Sequence, residues 1–250
     1  MSAPTPRRWN RPCLQKVPAL VIIRAVSSGC RRGSGDCAPV CAAALHRRRR
    51  THSRGQVHAG ARAGRAPARR LLADRTDNPH LADFYAEKPG AAFRTQMHFL
   101  LARYLQLRDL GLERDPRPLV CDYLFEKDRI FATLTLAAAD LEVYERYFEL
   151  LRPQLTTPDL VLYLQATPAV LRKRLRKKRA PGERDLSDAY LREVVEAYEH
   201  FFFNYKGSDL LVVNTSEIDF VERHDDLQEL LRRLSEPVKG TQYFLPLGPE

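Results

Sequence analysis

From about Leu119 onward the chain alternates short apolar runs with longer segments of helical period. Leu119–Leu124 reads as a short apolar strand, followed by helical material to about Ala138. In Ala139–Leu151 the apolar residues Leu141, Tyr144, Tyr147, Phe148 and Leu151 recur at helical spacing. Asp159–Ala166 is a run suited to a buried strand, and Thr167-Pro168 then opens a helix with a capping hydroxyl and a proline at its first position. Leu186–Phe203 predicts a long helix, Leu210–Thr215 a third strand and Phe220–Leu234 a closing helix. Strands alternating with helices of this length imply right-handed crossovers and a parallel sheet. Sheets of this kind take their ligands beyond the carboxyl ends of the strands, so the informative residues should follow the strands.

Charge divides the chain near residue 70. Residues 1–70 hold sixteen Lys/Arg and one acid, Asp36, whereas residues 71–250 hold twenty-five Lys/Arg and thirty acids. The overall net charge of +10 therefore belongs to the first quarter, and the body is slightly acidic. That body, of a size for one domain with one core, gives no electrostatic reason to bind nucleic acid. The longest apolar runs, Ala19–Ile23 and Leu160–Leu164, fall far short of a membrane span. Four of the five cysteines lie in the basic segment and Cys121 stands by itself in the body, which points to a reducing, cytoplasmic setting rather than a disulfide framework. Cys30, Cys37, Cys41 and His46 lack the paired short spacings of a zinc site, so no metal site is expected there.

Three readings of residues 1–70 compete. An Arg-rich, acid-poor stretch suits an organellar transit peptide. The run His46–Arg50 suits a disordered arm that gathers nucleic-acid phosphates. The third reading is a displaced reading frame: Gly55–Gly60, back-translated and read one nucleotide on, permits Gly-Lys-Ser-Thr-Leu-Ala.

Four groups of residues could carry chemistry. Gln96 and Arg103 are seven apart and share one helix face; an amide and a planar fork together can read the edge of a heterocycle, with Tyr85 a little upstream. Asp122, Lys127, Asp128 and Arg129 sit at and beyond a strand end, where carboxylates and cations could orient a sugar hydroxyl and a phosphate. Seven of the eight residues from Arg172 to Arg179 are basic, a crowd suited to a polyphosphate under a mobile lid, with Glu183 beyond the breaker Pro181-Gly182. Asn214–Phe220 joins the last strand to the last helix, and Phe220 could pack on a base. Each group also has a plainer structural reading, as a solvated face, an ion-pair cluster or core.

Taken in order, NPHLADFYAEKPGAAFRTQ, ARY at Ala102–Tyr104, DYLFEKDRIFA, PDLVLYLQATP, AYLREVVEAYEHFFFNY, LLVVNTSEIDF and GTQYFLPL resemble the bacterial deoxynucleoside kinases from Asp77 to about Pro246. The resemblance implies an α/β, three-layer P-loop kinase fold over 71–250, with 1–70 a separate aberrant or disordered segment. It implies transfer of the γ-phosphoryl of ATP, with Mg²⁺, to the 5′-hydroxyl of a deoxyribonucleoside by a homodimer. By the same resemblance Tyr85 contacts the sugar, Gln96, Arg103 and Asp128 the base, and Glu183 the sugar from the lid. Asp74 is the nearest candidate general base; Asp122 is the acid of a Glu/Asp-Arg-Ser motif in which Tyr123 replaces the arginine and Arg129 compensates. Arg174 and Arg179 are lid arginines for the phosphates, and Asp219 and Phe220 cover the adenine.

One family element is missing from the sequence: no Gly-Lys-Ser or Gly-Lys-Thr occurs in the 250 residues. The segment VIIRAVSSGCRRGSGD imitates a strand and glycine-rich turn without the lysine. The backbone amides and lysine of such a loop neutralise the β and γ phosphates, and its hydroxyl helps hold Mg²⁺. The expectation is therefore a chain that lacks the first strand and helix of the fold and turns over poorly. A non-catalytic nucleoside-binding protein with a basic nucleic-acid arm is the alternative.

Overall fold

In the computed structural model the described residues are 20–24, 70–74, 77–112, 119–178, 187–219 and 223–246, with backbone only at 20–24, 70–71 and 177–178. They form a six-stranded sheet with helices on both faces, in strand order β2-β3-β1-β4-β5-β6. The strands are β1 (Leu20–Arg24), β2 (Arg70–Leu72), β3 (Leu119–Cys121), β4 (Leu160–Gln165), β5 (Asp209–Asn214) and β6 (Thr241–Phe244). The helices are α1 (Leu81–Tyr85), α2 (Ala91–Arg108), α3 (Lys127–Thr135), α4 (Ala138–Leu151), α5 (Pro168–Lys178), α6 (Asp188–Phe203) and α7 (His224–Ser235).

Each alternating run in β3, β4 and β5 serves two cores. Cys121, Val161, Tyr163, Leu210 and Val212 face α5 and α6, where they meet Leu171, Leu175, Leu191, Val194, Tyr198 and Phe202. Val120, Leu162, Leu164, Leu211 and Val213 face the other way, onto Leu227, Leu230 and Leu234 of α7. Burial on both faces is why these strands read as continuous apolar runs. A third cluster, with Leu100, Tyr104, Phe125, Tyr144 and Phe148, joins α2, α3 and α4 beside the sheet.

Local chemistry sets the boundaries. Ser187 caps α6 by accepting from the Tyr190 amide at 3.2 Å. Helix α2 starts after Gly90, whose φ of 70° is one that a side chain would strain. Its buried face carries Thr95, Gln96 and Arg103 beside Phe99 and Leu100, so the helix buries polar groups where most bury only apolar ones.

The expected first strand needs correction. The central slot between β3 and β4 is filled by β1, and β1 runs antiparallel to both neighbours, whereas β2, β3, β4, β5 and β6 all run one way. Arg24, its last residue, pairs with Leu119 at the start of β3, and Ile23 pairs with Leu160 at the start of β4. The chain therefore leaves β1 at the sheet edge opposite to Asp122 and Gln165. Apart from Leu20–Arg24 and Arg70, the basic segment and its transit-peptide, nucleic-acid-arm and displaced-frame readings lie outside the described residues.

Candidate functional site

At the carboxyl end of β3 four charged side chains are packed out of water. Arg103, seven residues beyond Gln96 on α2, has no exposed surface, and Asp128 on α3 has none either. The Arg103 guanidinium donates from Nε to Asp74 Oδ1 and from Nη2 to Asp74 Oδ2, each at 2.8 Å, a bidentate pair. Its Nη1 is paired with Asp128 Oδ1. Lys127, 4 % exposed, places Nζ 3.1 Å from Asp74 Oδ2. The Asp74 amide donates to Asp122 Oδ1 at 2.5 Å, tying the strand-end carboxylate to the same cluster. Arg103 lies over the rings of Phe99 and Tyr123, at 5.1 and 5.6 Å from their centroids.

Two buried cations face two buried carboxylates, which keeps the cost of burying each charge in check. Burial pushes the Asp74 carboxyl up, but Lys127 and Arg103 more than offset this and hold it below the usual carboxylate range. Burial pushes Lys127 down, and Asp74 draws it back.

Around this cluster lie acceptors left over by the protein. Gln96, 3 % exposed, donates from Nε2 to Thr135 Oγ1 at 3.0 Å, and Thr135 in turn donates to the Phe131 carbonyl. Its Oε1 is buried without a hydrogen-bond partner among the described residues, as is Asp128 Oδ2. Buried acceptors of this kind are costly unless a donor reaches them.

The structure thus joins Asp74, Arg103, Asp122 and Asp128 in one network, with Gln96 on the same buried face of α2 as Arg103. Tyr85 stands at the end of α1, 37 % exposed, its ring tilted against Phe84. Arg129 does not compensate for the residue at Tyr123: it points outward to Glu145 at 2.8 Å and Glu149 at 3.7 Å, over the Phe148 ring. The inward cation is Lys127, two positions earlier on the same helix turn. Arg174 is spent inside the protein, with Nη1 donating to Thr215 Oγ1 at 2.8 Å and Nη2 to the carbonyls of Thr215 at 2.5 Å and Ile218 at 3.1 Å. It thereby fixes the loop after β5 that carries Asp219, whose amide donates to Asp226 Oδ2 at 2.5 Å. Arg179, Glu183 and Phe220 lie outside the described residues.

Among the described residues, the donor side offers a magnesium-bound triphosphate little to hold it. Strand β1 ends, at Arg24, on the side of the sheet away from Asp122 and Gln165, no Gly-Lys-Ser or Gly-Lys-Thr occurs in the sequence to cradle phosphate, and the lid cation Arg174 is engaged internally.

Comparison with known proteins matches residues 64–239 to a family model described as deoxynucleoside kinase. Deoxyguanosine kinase of Bacillus subtilis (strain 168) is 30 % identical over 166 residues, spanning 64 % of this chain and 80 % of that protein. Deoxyadenosine kinase of Dictyostelium discoideum is 28 % identical over 178 residues, 69 % of this chain and 70 % of that one. A structure of deoxyadenosine kinase from M. mycoides with bound dATP superposes with a TM-score of 0.58 at 17 % identity, covering 81 % of this chain and 96 % of that chain. Another, with bound dCTP, gives a TM-score of 0.54 at 16 % identity, over 80 % and 94 %.

Proposed function

Since the chain belongs to the deoxynucleoside kinase family of phosphotransferases, we propose that residues 71–250 are its nucleoside-accepting domain and bind a deoxyribonucleoside at the cluster beyond β3. The observation that carries this is two buried acceptors without hydrogen-bond partners, Gln96 Oε1 on the helix face that also carries Arg103 and Asp128 Oδ2 on the carboxylate paired with Arg103, whose guanidinium is held at two points by Asp74. A heterocycle whose edge brings N–H donors satisfies those acceptors, and a fixed Arg103 sets its register. Tyr85 and Glu183 meet the sugar, and Asp122, at the strand end, is the carboxylate offered to its 5′-hydroxyl.

In this family's reaction ATP supplies the γ-phosphoryl and Mg²⁺ balances its charge. The donor half of this chain does not fit that partner, so the activity is impaired in the chain as it stands: a nucleoside-binding protein of kinase descent. Arg179, Asp219 and Phe220 belong to the donor half of the same reading.

A thermal-shift panel tests the acceptor side. A ligand bound only by the folded state at 100 times its Kd raises the midpoint by about 5–10 °C. One or more of the four deoxynucleosides should do so, and Gln96→Ala should abolish the shift.

We also propose a homodimer, in a cytoplasmic setting. Leu101 and Leu105 on α2 and Val143, Tyr147 and Leu150 on α4 are 42–64 % exposed, a large apolar display for two adjacent helices. A second copy is the occupant, because one apolar patch meeting itself across a two-fold axis closes without remainder. Leu105→Glu combined with Leu150→Glu should shift sedimentation from dimer to monomer while leaving nucleoside binding in place; a wild-type chain that sediments as a monomer at about 50 µM would count against the pairing.

A further inference from the structure

We propose that Lys127 is a positioning residue: its ammonium balances Asp74 and thereby locks the Arg103 guanidinium in the orientation from which it meets a bound base, a role that rests on the deoxynucleoside reading above. Lys127 is matched to no part of the reaction by the resemblance, yet it is 4 % exposed and its Nζ lies 3.1 Å from Asp74 Oδ2. Arg103 is gripped through Nε and Nη2 by Asp74 and through Nη1 by Asp128. The grip holds while both Asp74 oxygens are charged acceptors. Without Lys127, one guanidinium would face two carboxylates away from water, with Asp122 close by at the Asp74 amide. Uptake of a proton is then the easy relief. A protonated Asp74 keeps one good acceptor, and the guanidinium is no longer held at two points.

The groups facing Asp74 come from every neighbouring element: Arg103 from α2, Cys121, Asp122 and Tyr123 from β3 and its end, Lys127 and (through Arg103) Asp128 from α3, and Tyr198 from α6. Burial pushes Cys121, Tyr123 and Tyr198 up, so these three stay neutral across the range in which the protein works. Removing Lys127 leaves Arg103 alone to oppose burial, so the Asp74 carboxyl moves up, and the form that locks Arg103 is the ionised one. The affinity lost should therefore appear as pH falls.

The test is deoxynucleoside affinity by calorimetry from about pH 5.5 to 8.5, with each variant expressed as a ratio to wild type at the same pH. Lys127→Met should bind nearly as well as wild type at the alkaline end and about 10-fold or more weaker at the acid end. Lys127→Arg should keep a flat ratio. The pair Asp74→Asn with Lys127→Met, which strands no charge, should bind weakly at every pH with a flat ratio. A flat ratio for Lys127→Met, or a slope surviving in the double variant, overturns the proposal. Should Lys127→Met not fold, the double variant decides: wild-type affinity there overturns it, and a weakened, flat profile upholds it. Absence of binding by the wild-type chain removes the deoxynucleoside reading instead.

Discussion

Given ATP, Mg²⁺ and any deoxynucleoside, the purified chain turns over at least about 10³-fold more slowly than deoxyguanosine kinase of Bacillus subtilis under the same assay. Each preorganised donor lost from a phosphoryl or oxyanion cradle is worth about 3 kcal/mol, and a missing phosphate loop removes several at once. Among the described residues, no segment takes the place of that loop. The loop of such a fold grows from the carboxyl end of the central strand, where it opens beside Asp122 and Gln165. Here that strand is antiparallel to β3 and β4, so its carboxyl end lies at the opposite edge. Replacing residues 1–73 with the corresponding strand, loop and helix of the Bacillus protein should restore transfer by at least about 10²-fold, because the acceptor residues are carried by the remainder. Turnover by the unaltered chain at the relative's rate would refute this account of the donor half.

The second large effect falls on Arg103. Its side chain meets Asp74, Asp128, Phe99 and Tyr123 with no surface exposed. Arg103→Met removes one charge and leaves two carboxylates buried around an apolar chain, which costs about 3–5 kcal/mol of stability. For a domain of this size that is a fall of about 6–20 °C in Tm, measurable by calorimetry. Arg103→Lys should lose much of the same, since a point charge cannot occupy the bidentate grip and Asp128 together. The triple change Arg103→Met, Asp74→Asn, Asp128→Asn should recover most of the stability and none of the nucleoside binding. That outcome would separate the structural share of the network from its recognition share; binding that survives in the triple variant would remove Arg103 from the site.

Much of the frame was legible because its signals are local. Thr167-Pro168 marked the start of α5, Ser187 caps α6, and the doubly buried runs of β4 and β5 lie within one residue of where their composition placed them. The seven-residue spacing of Gln96 and Arg103 placed both on one face of α2. What that face would meet was not legible, since Asp74 lies 29 residues away from Arg103 and is brought to it by the sheet. The exchange of Arg129 for Lys127 turned on helix phase. Helix α3 begins at Lys127, and successive residues are about 100° apart, so residues two apart, such as Lys127 and Arg129, face nearly opposite ways. Arg174 reads as a phosphate ligand within a basic run, yet three buried acceptors claim it, and acceptors from a distant loop leave no trace in local sequence. The direction of β1 had no signal at all: a five-residue apolar strand pairs equally well either way, and only its connections fix the sense. Strand β6 escaped notice because its alternation is short and its outer residues are exposed, as on many sheet edges.

Calorimetric titration of the purified chain with deoxyguanosine, deoxyadenosine, deoxycytidine and thymidine, in the absence of ATP, is the most direct test. At least one of them should bind saturably, one per chain, with affinity lost by about 100-fold or more in Arg103→Met with both carboxylates neutralised. No heat of binding from any of the four up to about 1 mM, with the protein folded, would contradict it.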